Sequence, residues 1–157
     1  MISSPHSTAP ESTGRQFNMD WSDRFALGID LMDQQHKVLF RLIDQLAQAI
    51  QHETSEAELQ NIFGQLHDYT LTHFATEERL MAQYAYPADQ DHQASHRTLE
   101  QTLEQLVERA KGGEPLVSIQ TMNFLRLWLY NHIDGTDRQF ADYLKAKGVI
   151  TVTTVAA

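Results

Sequence analysis

Histidines and carboxylates recur along this chain at spacings that could hold metal ions. His73 and Glu77 lie four residues apart, as do His92 and His96, and this separation brings both members of a pair to one side of a helix. Imidazole nitrogens and carboxylate oxygens are common metal ligands in proteins. The complete set of candidate ligands is His36, His73, Glu77, His92, His96, His132 and Asp137.

Each candidate also has an ordinary structural interpretation. A single histidine on an apolar helix face is usually a core residue, and a His–Glu pair one turn apart is usually a surface interaction. These residues, however, continue the apolar faces of their segments: His36 precedes Leu39 by three residues, and His132 follows Leu129 by three. Buried together without a cation, they would leave charged and polar groups unsatisfied in an apolar core. We therefore interpret the set as a metal site.

The number of candidate ligands indicates two metal ions. Seven protein ligands exceed what one tetrahedral or octahedral ion normally takes. Two metals fit if both carboxylates bridge them and the histidines divide three and two. Protein donors then number five on one metal and four on the other, and one shared oxygen bridge makes these six and five. On this count one metal keeps an open position, where a small molecule could bind.

Four amphipathic segments must position these side chains. Each has one apolar stripe at helical spacing, which predicts helices over about 33–52, 55–84, 88–111 and 116–146. Short connections between long helices place consecutive helices side by side and antiparallel. The predicted fold is therefore all-α, an up-down-up-down antiparallel four-helix bundle with an extended N-terminal arm.

Residues between the stripes mark where the helices begin and end. Ser55 followed by Glu58 predicts a capped start for the second helix. Pro87 separates the second helix from the third. The stretch "KGGEP" ends the third helix at its two glycines and places Pro115 in the first turn of the fourth.

The ends of the chain differ in composition from the helical part. Residues 1–18 are rich in Ser, Thr and Pro and are predicted to form a disordered arm. A four-helix domain is predicted over 19–148, beginning with a mostly extended stretch, and 149–157 is interpreted as a tail. No output domain is expected after residue 148, and no secretory signal is visible at the N-terminus.

Composition excludes several classes of protein. The 157 residues carry a net charge of −9, which argues against nucleic acid or an anionic membrane as the main partner. The absence of cysteine excludes disulfides, thiolate zinc sites and iron–sulfur clusters. No apolar run approaches the length of a membrane span, so we expect a cytoplasmic protein.

The residues that carry the candidate ligands resemble those of the hemerythrins, most closely the single-domain bacterial members. The matching motifs are "DQQH" ending at His36, "HFATEE" beginning at His73, "HQASH" from His92 to His96, and "LWLYNHIDGTD" ending at Asp137. The resemblance extends from about Met19 to Gly148. It fills all seven ligand positions with the expected residue types at the expected spacings.

The resemblance implies a non-haem di-iron centre with an oxo or hydroxo bridge. His92, His96 and His132 would hold one iron, His36 and His73 the other, and the two carboxylates would bridge them. Dioxygen would bind at the iron with two histidines, inside an apolar pocket. Candidates for that pocket lie within about a turn of a ligand, although each could simply be a core residue; they are Leu39, Phe74, Trp128, Leu129 and Ile133.

The separation of five residues between His132 and Asp137 does not suit a regular α-helix. Five residues turn a side chain by about 140° relative to the first, so the two would not face the same metal pair. Gly135 lies between them. We therefore predict a π-like or loosened turn at this point, of the kind that recurs at functional sites.

Three functions fit these observations. The first is reversible dioxygen binding by a carrier or store that is not an enzyme. The second is an oxygen or redox sensor acting through a partner, and the third is a di-iron enzyme acting on peroxide or nitric oxide. Ferritin-like oxidases are a structural alternative, but they use Glu-x-x-His pairs, and no histidine here follows a glutamate by three residues.

Overall fold

The computed structural model describes residues 19–116 and 118–149, and the predicted disordered arm 1–18 and most of the predicted tail lie outside these ranges. Four long helical rods dominate the described residues, without a strand among them. Helix α1 covers Asp30–Gln51, α2 covers Glu56–Gln83 and α3 covers Asp89–Lys111. The fourth rod consists of α4 at Ile119–Asn131, a π-helical turn at His132–Asp137 and α5 at Arg138–Ala146. The predicted four-helix bundle is confirmed.

Local side chains account for where the helices begin and end. Ser55 caps α2, where its hydroxyl accepts a hydrogen bond from the backbone N–H of Glu58 at 3.3 Å. Helix α3 ends at Lys111, and Gly113 takes a left-handed φ of 92° that glycine adopts at little cost.

The prediction that Pro115 lies in the first turn of the fourth helix is wrong. Ser118 caps that helix instead, accepting from the N–H of Thr121 at 3.2 Å. Pro115 stays in the loop because the next residue is attached to α2: Leu116 is buried, and its N–H donates to Glu56 Oε1 at 3.3 Å. The helix therefore begins only after this anchor.

The residues before α1 lie along α1 and the fourth rod. This stretch contains a short 3₁₀ turn, Asp23–Phe25, within otherwise irregular backbone. Phe25 stacks on Tyr130 with ring centroids 5.0 Å apart, and the N–H of Met19 donates to Asp44 Oδ1 at 3.2 Å. The stretch from Met19 to α1 is thus fixed to the bundle by both packing and a hydrogen bond.

The bundle interior changes character along its length. Near the start of α1 and α3, the helices bury histidines and carboxylates, whereas nearer the α1–α2 and α3–α4 loops they bury apolar side chains such as Leu46, Phe63 and Leu103. None of the helices in the described ranges combines the length and apolar character that crossing a membrane requires.

Candidate metal centre

The seven candidate ligands converge on one buried region of the bundle. Their donor atoms form two sets, and within each set every donor atom lies within 4.8 Å of every other. One set has three histidines, the other has two, and both carboxylates belong to both sets. We call these the three-histidine set (His92, His96 and His132, with Glu77 and Asp137) and the two-histidine set (His36 and His73, with the same carboxylates).

Each carboxylate directs one oxygen toward each set. Glu77 Oε1 lies 3.3 Å from His73 Nε2, while its Oε2 lies 3.0 Å from His96 Nε2. Asp137 Oδ2 lies 3.0 Å from His36 Nε2, while its Oδ1 lies 3.0 Å from the Nε2 atoms of His92 and His132. This is the arrangement of a carboxylate that spans two cations.

The spacing of the donor atoms fits metal ions at their centre. Donors about 2.1 Å from one octahedral ion lie about 3.0 Å apart when adjacent and about 4.2 Å apart when opposite. Most nitrogen–oxygen separations, at 3.0 to 3.3 Å, match the adjacent case. The longest, 3.7 Å from His36 Nε2 to Glu77 Oε1, lies between the adjacent and opposite cases.

Several donor atoms that face the centre have no hydrogen-bond partner, although such buried polar atoms are normally satisfied. They are Glu77 Oε1, His96 Nε2, His132 Nε2 and both carboxylate oxygens of Asp137. Two cations would satisfy all of them, so the residues present fit a dinuclear site.

A π-helical turn brings Asp137 into the site. Residues His132–Asp137 form this turn, as the spacing of five predicts, and both end residues are buried. In a π-helix the hydrogen bonds run from i to i+5, so residues five apart come to the same side. A Cβ added at Gly135 would meet no atom within 4 Å, so the glycine is not required there by close packing.

The charges in the metal-free centre balance one another. Burial would lower the pKa of His36, but the Asp137 and Glu77 carboxylates outweigh it and raise this pKa to about 9. The same balance raises the pKa of His92 to about 10, whereas burial prevails at His73 and lowers its pKa. Burial opposes ionisation of both carboxyl groups, yet the facing imidazoles hold their pKa values below the usual range. Protons held by His36 and His92 thus balance the negative charges of the two carboxylates.

A hydrogen-bonded chain orients His73 in the two-histidine set. Thr76 donates its hydroxyl proton to the carbonyl of Thr72, so its oxygen is free to accept from Gln35 Nε2 at 3.2 Å. The Gln35 carbonyl oxygen then faces His73 Nδ1 at 2.8 Å and accepts its proton. His73 consequently directs an unprotonated Nε2 at the centre, as a ligand must.

Two histidines of the three-histidine set are oriented in a different way. His96 Nδ1 lies 3.1 Å from Glu78 Oε1, and the same oxygen accepts from the guanidinium of Arg97. His132 Nδ1 lies 3.1 Å from the hydroxyl of Ser95.

These outer residues were not predicted from the sequence, because spacing rules select the ligands and not their partners. A usable signal was present nonetheless. Gln35, Glu78 and Ser95 are each directly adjacent in sequence to a candidate ligand.

A small apolar cavity lies one helical turn from the centre. It encloses about 20 Å³, and by this measure about 10–15 Å³ is enough for one water-sized molecule. Four of the five predicted pocket residues line it; they are Leu39, Phe74, Trp128 and Leu129. Ile133 is fully buried but is not part of this lining. Thr70, which the sequence analysis did not select, carries the one hydroxyl of the lining, and its proton is donated to the Leu66 carbonyl at 2.7 Å.

Comparison with known proteins agrees with this geometry. The family model that matches residues 27–144 is described as the hemerythrin HHE cation binding domain. The bacteriohemerythrin of Stenotrophomonas maltophilia is 34% identical over 126 residues, covering 80% of this chain and 81% of that protein. The bacteriohemerythrin of Methylococcus capsulatus is 30% identical, covering 82% and 98% of the two chains.

Solved structures give the same result at the level of the backbone. A crystal structure of a wild-type hemerythrin superposes with a TM-score of 0.73 at 29% identity. The superposition covers 78% of this chain and 95% of that one. The seven candidate ligands all fall within the matched residues 27–144.

Proposed function

The chain belongs to the hemerythrin family, whose members bind a pair of iron ions and dioxygen, and we propose that it binds dioxygen reversibly at a non-haem di-iron centre. In this proposal His92, His96 and His132 hold one iron, and His36 and His73 hold the other. Glu77 and Asp137 belong to both donor sets and would contribute to both irons. Once bound, the iron pair would supply the electrons that reversible dioxygen binding requires.

The main support for the proposal is that the two sets offer different numbers of protein donors. The two-histidine set offers four protein donors and the three-histidine set five, so an added ligand has room at the former. The small apolar cavity lies about one turn from both sets, since Leu39 is one turn after His36 and Leu129 is one turn before His132. It can therefore serve the set that has the open position. The cavity has room for about one water-sized molecule.

The chain's own residues favour release over reaction. Leu39, Phe74 and Leu129 exclude water from the cavity, and the Thr70 hydroxyl points its proton at a backbone carbonyl instead of into the cavity. Among these lining groups no acid or base is present to donate a proton to bound dioxygen. Further reduction of bound oxygen requires protons, so a lining without a proton donor supports a carrier or store over an enzyme. A cytoplasmic location and the absence of a nucleic-acid or membrane partner remain part of the proposal.

The proposal is tested on anaerobically reduced, iron-loaded protein. Dioxygen is titrated in while the ultraviolet–visible spectrum is followed, the gas is then removed, and iron per chain is measured in parallel. We expect two irons per chain and a charge-transfer band that appears with dioxygen and vanishes on its removal. Rapid irreversible oxidation would contradict reversible binding and favour a sensor or an enzyme, and fewer than two irons would contradict the centre itself.

A matched pair of variants tests the cavity. Leu129→Phe places a larger side chain in the small cavity and so reduces its volume. It should lower the fraction of protein that forms the band, with iron content kept at two per chain. Val107→Phe adds an aromatic ring to a separate cavity between α2 and α3 and should leave dioxygen binding unchanged. Equal effects of the two substitutions would show that the small cavity is not where dioxygen binds.

A further inference from the structure

The five histidines differ in what their outer nitrogen contacts. His73 Nδ1 faces a neutral amide oxygen of Gln35, and His132 Nδ1 faces the hydroxyl of Ser95. The Nδ1 atoms of His36 and His92 have no hydrogen-bond partner within the described ranges. His96 alone among the five faces a carboxylate, that of Glu78. The three-histidine set therefore has an anionic partner that the two-histidine set lacks.

The contact between His96 and Glu78 fixes which nitrogen of the ring can bind a metal. A carboxylate accepts hydrogen bonds and cannot donate, so the proton of a neutral His96 must be on Nδ1. The other nitrogen, Nε2, then has its lone pair directed at the centre, where it lies 3.0 Å from Glu77 Oε2. The His96 ring is fully buried and stacks on Phe74 with centroids 3.8 Å apart, so it has little freedom to turn.

Arg97 holds Glu78 in the orientation that this contact needs. Its guanidinium donates to Glu78 Oε1, and it also donates to Glu100 Oε2 at 2.8 Å. The Glu78 side chain is 24% exposed and that of Arg97 is 50% exposed, so the pair lies at the surface end of a short path to the centre. Glu100 touches the same guanidinium but no histidine, which makes it a matched control.

We propose that Glu78 is a positioning residue for the three-histidine metal, acting through the hydrogen bond between Glu78 Oε1 and His96 Nδ1. The negative charge makes the His96 imidazole a stronger donor to metal, because hydrogen bonds to a charged acceptor are roughly twice as strong as neutral ones. The three-histidine metal is then held more tightly than its neighbour and is the easier of the two to oxidise. This inference rests on the di-iron centre of the proposed function.

The first test measures the binding of ferrous iron under anaerobic conditions, in competition with a chelator. Glu78→Gln keeps the size and an accepting oxygen but removes the charge, and Glu78→Ala removes both. Partners of this kind typically change metal affinity by about 10- to 100-fold. We expect one of the two iron equivalents to weaken by about 10-fold in Glu78→Gln and by about 100-fold in Glu78→Ala. The other equivalent and the Glu100→Gln control should stay within about twofold of the native protein.

The second test separates this role from a merely structural link between α2 and α3. The reduction potential of the iron-loaded centre should move in the positive direction in Glu78→Gln and stay unchanged in Glu100→Gln, since loss of the anionic partner disfavours ferric iron. Circular dichroism of the metal-free variants shows whether the fold is retained.

Three outcomes would overturn the inference. Unchanged iron affinities and potential in Glu78→Gln would do so directly. Equal weakening of both irons without a shift in potential would show a structural role only. Native protein that binds no iron would instead overturn the proposed function, and this inference with it.

Discussion

The two halves of the bundle interior are built from the same helical stripes but hold opposite kinds of residue. In the half that contains the candidate metal centre, the imidazoles and carboxylates are at most 5% exposed, within the range of the buried leucines. In the other half, which we call the distal half, the buried positions are apolar, and a cavity of about 570 Å³ opens between α2 and α3 beside Phe63 and Leu116. The comparison shows that helix geometry decides which positions are buried, while the chemistry of the neighbours decides what those positions can hold.

The halves also differ in how many specific partners each buried side chain requires. Near the centre, each histidine depends on a facing carboxylate, and three of the five have a partner on the outer nitrogen as well. In the distal half a buried side chain must fill space but needs no specific partner, because hydrophobic burial and dispersion are not directional. Substitutions should therefore affect metal binding in one half and stability alone in the other.

Loss of a bridging carboxylate should have the largest effect. Glu77→Gln keeps the shape of the side chain but removes the charge that both donor sets share, so we expect iron to fall from two per chain to near zero. Metal analysis after loading and desalting measures this. Glu104→Gln, in the distal half, is the control and should keep both irons. Retention of two irons by Glu77→Gln would contradict its assignment as a bridge.

A cavity made in the distal half should lower the free energy of unfolding without lowering the iron content. Leu46 is fully buried and does not line the small cavity, and Leu→Ala substitutions at such positions typically lower the free energy of unfolding by about 2–5 kcal/mol. We expect a loss in that range for Leu46→Ala in denaturant titrations of the metal-free protein. Iron content under native conditions should remain at two. A fall in iron content would show that the two halves are coupled.

The metal-free protein should lose stability as the pH rises above neutrality. The pKa values of His36 and His92 are raised to about 9 and about 10, so both imidazoles hold protons in the folded state that they release on unfolding above their ordinary pKa of 6.5. Their contribution is fully present below pH 6.5 and is lost as the pH passes through 9 and 10. Each should cost about 1.4 kcal/mol per pH unit between pH 7 and 9.

Denaturant titrations at pH 7, 8 and 9, with and without bound metal, measure this effect. In iron-loaded protein the imidazoles are ligands and carry no exchangeable charge, so the same slope should be absent. Equal slopes for the two forms would place the titration outside the metal centre.

The same contrast explains what could be predicted from the sequence. Apolar periodicity predicts the helices, and the spacing of His132 and Asp137 predicts the π-helical turn, because both follow from geometry along one segment. The contacts of Glu78 and Gln35 with histidines join different helices, so they depend on how the helices pack and are not visible in any single stretch. Pro115 was misplaced for a related reason, since the Leu116–Glu56 contact that delays α4 comes from another helix.

The smallest effect is expected at His67, a histidine that belongs to the distal half. It lies on α2 beside the larger cavity, its side chain is 25% exposed, and its Nδ1 contacts the carboxylate of Asp68 at 3.3 Å. Such partly exposed pairs contribute little to stability, and substitutions at sites of this kind are usually within about 0.5 kcal/mol of neutral. His67→Gln should therefore leave the free energy of unfolding within that limit and keep two irons per chain. Loss of iron from this variant would mean that α2 turns a different face inward, and that His67 belongs to the half with the candidate metal centre.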